Sequence, residues 1–127
     1  MNVRVVVADD QSPFRSAARS VLGATSDFEL VGEASSGEEA VALVDSLRPD
    51  LVLIDINMPG IGGIEAARAI AAAHPETMTI LVSTYLEQDL QAPAHTLGAA
   101  AYLHKSEFRG DALRELWGRR RYSPAAR

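Results

Sequence analysis

Five short apolar runs, each followed by a longer stretch with helical spacing, constrain this chain more than any other feature. The runs cover residues 3–8 (VRVVVA), 28–34 (FELVGEA), 51–54 (LVLI), 79–83 (TILVS) and 100–104 (AAYLH). The first, third and fourth are almost unbroken Val, Ile and Leu. Such runs suit strands of a parallel sheet covered on both faces, where neither side of the strand meets water. The intervening segments have helix ends. Ser12-Pro13 reads as an N-cap followed by proline at the first helical position, with Phe14, Ala17, Ala18, Val21 and Leu22 as one apolar stripe and Gly23 as a stop. Ser36-Gly37-Glu38-Glu39 fits a capping box, followed by Ala40, Leu43, Val44 and Leu47 and ended by Pro49. A third helix is expected over 64–74, stopped by Pro75, and a fourth over 91–97, with Pro93 confined to its first turn. A fifth carries Leu113, Leu116 and Trp117 and runs into GRRRYSPAAR.

Strand then helix, five times over, specifies an α/β fold: a doubly wound five-stranded parallel sheet with helices on both faces. The flavodoxin-like strand order 2-1-3-4-5 is expected, because the second run is the more polar one, as an edge strand should be. At 127 residues with 47% apolar residues the chain is one domain with a single good core. Residues 1–121 form that domain, and 122–127 read as a tail or the start of a linker. Seventeen acidic against twelve basic residues leave a net charge of −5, which argues against binding a nucleic-acid backbone directly. Arg119, Arg120 and Arg121 accordingly read as a charged helix end rather than a nucleic-acid patch. With no cysteine, disulfides, thiol catalysis and thiolate metal sites are excluded. No run approaches the roughly 18 apolar residues of a membrane span, and the N-terminus enters a strand directly, so a soluble cytoplasmic protein without membrane contact is expected.

In this fold class, sites lie beyond the carboxyl ends of the strands, at the switch point between the first and third. The first strand ends in Asp9-Asp10 and the third in Asp55. Each alone would more often be a turn residue. Together they would repel and raise one another's pKa unless a cation sat among them. Mg²⁺ suits such a set, since it takes oxygen ligands and needs only one or two protein carboxylates; Mn²⁺ and Ca²⁺ remain open. The fourth strand ends in Ser83-Thr84 and the fifth is followed by Lys105, a hydroxyl and an ammonium suited to a phosphoryl group. His74, His95 and His104 lie on separate elements without metal-ligand spacing and receive no function.

The set Asp9, Asp10, Asp55, Ser83 and Lys105 resembles the site of response-regulator receiver domains of two-component signalling. DINMPGIGG is similar to that family's D-x-x-M-P-x-x-x-G pattern, and the spacings of 28 positions from Asp55 to Ser83 and 22 more to Lys105 also match. The resemblance covers Val3 to about Trp117. It implies that Asp55 accepts a phosphoryl group from a histidine kinase or phosphotransfer protein. It implies direct Mg²⁺ ligation by Asp10, Asp55 and the backbone carbonyl of Asn57, with Asp9 acting through water. Lys105 and Ser83 would each bind a phosphoryl oxygen. Tyr102 stands where the family carries an aromatic switch that works with Ser83. The output would be protein–protein interaction, with a downstream partner or as a homodimer, through the face built by the fourth helix, fifth strand and fifth helix. Such a module is not an enzyme beyond its own phosphorylation and dephosphorylation.

Departures from the family pattern sharpen the alternatives. Ser106 follows Lys105 where many receivers have proline. Lys-then-polar resembles receivers that usually carry a helix-turn-helix output domain, so one alternative is the receiver half of a DNA-binding transcription regulator. Taken as a whole, a chain ending in WGRRRYSPAAR is expected to be a stand-alone receiver. An aspartyl-phosphate phosphatase ranks far behind, because Asn57 occupies the place where such enzymes want a second Asp as general acid.

Overall fold

All five apolar runs form strands, and four of the five expected helices form. The computed structural model describes residues 2–90 and 92–120. In chain order the elements are β1 (Val3–Ala8), α1 (Ser12–Ala24), β2 (Phe28–Ala34), α2 (Gly37–Leu47), β3 (Leu51–Asp55), α3 (Gly62–Ala73), β4 (Met78–Ser83), β5 (Ala101–His104) and α4 (Gly110–Arg119). Short 3₁₀ turns cover Glu87–Asp89 and Lys105–Glu107. The strands make one parallel sheet in the order β2-β1-β3-β4-β5.

The sheet is covered on both faces, which is why its central strands carry no polar alternation. Val5 and Val7 of β1, with Leu51 and Leu53 of β3, pack toward Ala18 and Leu22 of α1 and Leu113 of α4. Their neighbours Val6, Ala8, Val52 and Ile54 point the other way, onto Ala40 and Val44 of α2 and Ala66, Ala67 and Ile70 of α3. Every residue of β3 is buried. Truncating one of these large side chains to alanine should cost about 2–5 kcal/mol.

The capping box of α2 forms with a one-residue offset. Ser36 Oγ accepts the Glu39 amide at 3.2 Å, whereas the Glu39 carboxylate reaches back to the amide of Ser35, at 2.6 Å, rather than that of Ser36. The α2 stop is Arg48, in the left-handed region at φ 48°, just before Pro49. Three local expectations are corrected. Ser12 lies inside α1, whose cap is Gln11 with no side-chain hydrogen bond. Gly23 does not end that helix, which runs to Ala24 and is closed by Thr25, its hydroxyl donating to the Val21 carbonyl at 2.6 Å. Ala17, expected in the apolar stripe of α1, is exposed.

The larger correction is the expected fourth helix over 91–97. Among the described residues, no α-helix lies between β4 and β5. Residues 93–99 instead make a single wound turn, with Leu97 N–H donating to the Ala94 carbonyl and Ala99 N–H also donating to Ala94. Pro93 offers no N–H to a preceding turn, and Gly98 sits at φ +90°, so the segment can neither be propagated from upstream nor extended. Ala94, Leu97 and Ala99 are nevertheless buried against Ile70 and Leu81, so the apolar pattern found its core without the helix. The face foreseen between two helices and β5 is therefore built from this turn, β5 and α4. Arg121 and the 122–127 tail lie outside the described residues.

Candidate functional site

Strand register brings the acidic residues together. Ala8 pairs with Ile54 across β1 and β3, so the next residues, Asp9 and Asp55, emerge side by side. On the other side of β3, Asp55 pairs with Val82, placing Ser83 one position further along β4. Ser83 in turn pairs with His104, so Lys105 leaves β5 at the same end of the sheet. One oxygen from each of Asp9, Asp10 and Asp55 lies within 4.8 Å of the others.

Lys105 holds this cluster. Its Nζ is 2.7 Å from Asp9 Oδ2 and 3.3 Å from Asp55 Oδ1. The ammonium also lies 4.9 Å from the centroid of the Phe14 ring, a cation–π contact from the first turn of α1. Asp9 is fully buried, and its other oxygen accepts the Gln11 amide at 2.8 Å. Arg15 donates to the Asp9 carbonyl at 2.7 Å. Asp10 is exposed at the mouth of the cluster.

Three carboxylates against one ammonium leave an excess of negative charge. Burial, and then the Asp9 charge, push the Asp55 pKa up to about 6, although Lys105 pulls the other way. Burial also works against the Lys105 ammonium, but its hydrogen bond to the Asp9 carboxylate and the charge of Asp55 outweigh it and hold its pKa above the ordinary lysine value.

The loop after β3 explains its own sequence. A Cβ on Gly63 would fall 1.9 Å from the Asp55 carbonyl oxygen, so α3 can start against the back of Asp55 only with glycine there. The Gly63 amide donates to the Ile56 carbonyl, closing the loop. Gly60 takes φ +77° beneath the Glu38 carboxylate, which accepts the Ile61 amide and ties the loop to α2. Asn57 and Pro59 are exposed on this loop.

The sequence and the fold have known counterparts. A family model for the response regulator receiver domain matches residues 5–116. The chain belongs to that family. Among curated relatives, the transcriptional regulatory protein DegU of Brevibacillus brevis is 34% identical over 113 residues, covering 89% of this chain and 48% of DegU. The response regulator UvrY of Escherichia coli is 36% identical over 123 residues, covering 94% of the chain and 56% of UvrY. The chain thus spans about half the length of the curated relatives it matches. Among solved structures, the receiver domain of NarL from Mycobacterium tuberculosis matches with a TM-score of 0.79 at 33% identity, over 93% of this chain and 98% of that one. The response regulator domain of Thermotoga maritima CheB gives 0.80 at 26% identity, over 98% and 100%.

Of the residues singled out in the sequence, this receiver domain gathers Asp9, Asp10, Asp55 and Lys105 into one cluster and sets Ser83 beside it. Ser83 is buried, and its Oγ accepts the Tyr85 amide at 3.1 Å. Tyr102 is half-buried on edge strand β5, its hydroxyl donating to the Tyr85 carbonyl. Burial raises its pKa above that of free tyrosine. Two contacts are not legible from sequence. Phe14 reads there only as part of a helix stripe, although it follows Asp9-Asp10 so closely that it faces the same crevice. His104, to which the sequence gives no role, bonds to both flanking loops.

Proposed function

We propose that this receiver domain takes a phosphoryl group from the phosphohistidine of a sensor kinase or phosphotransfer protein onto Asp55. The observation that carries the reading is the buried Asp55 beside Asp9, Asp10 and Lys105 at the switch point of the sheet. An Asp55 carboxylate oxygen attacks phosphorus, a P–O bond forms as the donor P–N bond breaks, and the electron pair leaves with the imidazole nitrogen. The product is an acyl phosphate. Lys105, already 3.3 Å from Asp55 Oδ1, neutralises charge on a transferred oxygen, and Ser83 exchanges its bond with the Tyr85 amide for one to another oxygen.

The oxygen cluster fits a hard divalent cation: three carboxylates face one ammonium, and burial together with the Asp9 charge holds the Asp55 pKa high. Mg²⁺, or Mn²⁺, would be held by Asp10, Asp55 and the Asn57 carbonyl, with Asp9 behind water. Bound there it would offset the charge of the incoming phosphoryl group. The chain's own chemistry is confined to its phosphorylation and dephosphorylation, in the cytoplasm; among the described residues no helix is long and apolar enough to cross a membrane.

The output is a shift in population between two packings of the loop after β4, with Tyr102 following Ser83. That shift would be read by a protein partner, or a second copy, on the surface of the 93–99 turn, β5 and α4. The relatives named as transcriptional regulators support a second reading, in which this is the receiver half of a DNA-binding regulator. The test is intact mass after incubation with Mg²⁺ and acetyl phosphate, with Asp55→Asn in parallel. One added phosphoryl group on the parent alone, lost on chelating the metal, is the expected result. An adduct on both proteins, or on neither, would overturn the assignment.

A further inference from the structure

The Ser83 hydroxyl and the Lys105 ammonium come from the ends of different strands, just where the sheet stops holding those strands together. The last registered pair between β4 and β5 is Ser83 with His104, so Thr84 and Lys105 lie beyond the ladder. The His104 side chain spans the gap. His104 Nε2 lies 2.8 Å from the Thr84 carbonyl oxygen, directly after Ser83. His104 Nδ1 accepts the Ser106 amide at 3.1 Å and lies 2.8 Å from Ser106 Oγ, directly after Lys105.

The partners fix the tautomer. A carbonyl only accepts, so Nε2 carries the proton; a backbone amide only donates, so Nδ1 is bare. The neutral imidazole therefore caps the 3₁₀ turn that begins at Lys105 and, with its other nitrogen, straps that turn to the loop after Ser83. The peptide bonds of the described residues are all trans, so the course of the Lys105–Ser106 turn owes nothing to a cis bond. Protonating the ring would turn Nδ1 into a donor toward Ser106 Oγ and leave the Ser106 amide without its acceptor.

We propose that His104 is a positioning residue that holds Lys105 and Ser83 in register for phosphoryl transfer. This rests on the phosphoacceptor reading of Asp55. The two halves of the imidazole can be separated by substitution. Asn at 104 keeps an acceptor near the Nδ1 position for the Ser106 amide but does not reach Thr84. Gln keeps a donor near the Nε2 position but loses the cap. Leu keeps strand packing and loses both.

The experiment compares phosphorylation rates with Mg²⁺ and acetyl phosphate for the full chain and for His104→Asn, His104→Gln and His104→Leu. All four must be folded by circular dichroism, and ¹⁵N shifts of the parent imidazole give its tautomer. The expected result is a loss of about tenfold in the Leu variant, equivalent to roughly 1.4 kcal/mol in the barrier. At least one of the Asn and Gln variants should recover to within about threefold of the parent, and the parent imidazole should be protonated at Nε2. Equal rates in parent and Leu variant would overturn the role of His104 while leaving Asp55 as acceptor. So would a loss that neither amide rescues, or a ring protonated at Nδ1. No adduct on the parent would overturn the acceptor reading itself, and this role with it.

Discussion

Asp55→Asn should make the metal-free protein more stable, and only at neutral to alkaline pH. An acid whose pKa is higher folded than unfolded binds its proton more tightly in the native state. Its ionisation therefore costs native stability, a cost absent below the unfolded pKa and complete above the folded one. For Asp55 these limits are the ordinary 3.8 and about 6. The difference of about two units corresponds to roughly 3 kcal/mol at 1.36 kcal/mol per unit. The Asn side chain keeps an oxygen where Asp55 Oδ1 meets Lys105, at 3.3 Å, but gives up the attraction between charges, so about 1–3 kcal/mol of the relief should survive. Urea unfolding in EDTA at pH 8 should show the variant more stable by that amount, and at pH 4 the two proteins should converge. Saturating Mg²⁺ should reverse the order, since the parent would gain binding energy through a ligand the variant lacks. A variant less stable than its parent at pH 8 without metal, or a gain that persists at pH 4, would refute the reading of Asp55 as a carboxyl raised by burial and the neighbouring Asp9 charge.

Other perturbations separate packing from chemistry. Gly63→Ala should destabilise by about 3 kcal/mol or more in urea unfolding, because the new methyl would meet the Asp55 carbonyl oxygen at 1.9 Å. Lys105→Met should cost about 2 kcal/mol without metal, through carboxylates left facing one another, and should also slow phosphorylation by acetyl phosphate, measured by intact mass. Ser36→Ala should lose about 1 kcal/mol of stability with no change in phosphorylation rate, since it removes only the cap on the Glu39 amide.

The sheet is readable in the sequence because burial on both faces leaves few polar residues in β1, β3 and β4, giving runs that no loop would carry. Strand order and register then put Asp9, Asp55, Ser83 and Lys105 at one end, so the cluster is legible as soon as the strands are. The failures are local. Residues 93–99 have helical apolar spacing, and Ala94, Leu97 and Ala99 are indeed buried, but Pro93 disfavours helix in the residue before it and Gly98 at φ +90° ends the turn after it, leaving too few residues between them for a helix. Ser12 before Pro13 looks like a cap, yet Gln11, whose amide is tied to Asp9, takes that place. His104 is invisible in the sequence because its partners, a carbonyl at 84 and an amide at 106, are backbone groups that no side-chain pattern records.

Of the three neighbouring carboxylates Asp9, Asp10 and Asp55, only Asp55 should accept the phosphoryl group. Treating the phosphorylated protein with borohydride reduces an acyl phosphate to an alcohol, converting the modified aspartate to homoserine. Peptide mass spectrometry then reads its position. Homoserine at position 55 and nowhere else is the predicted result; homoserine at 9 or 10, or at none of the three, would contradict the account.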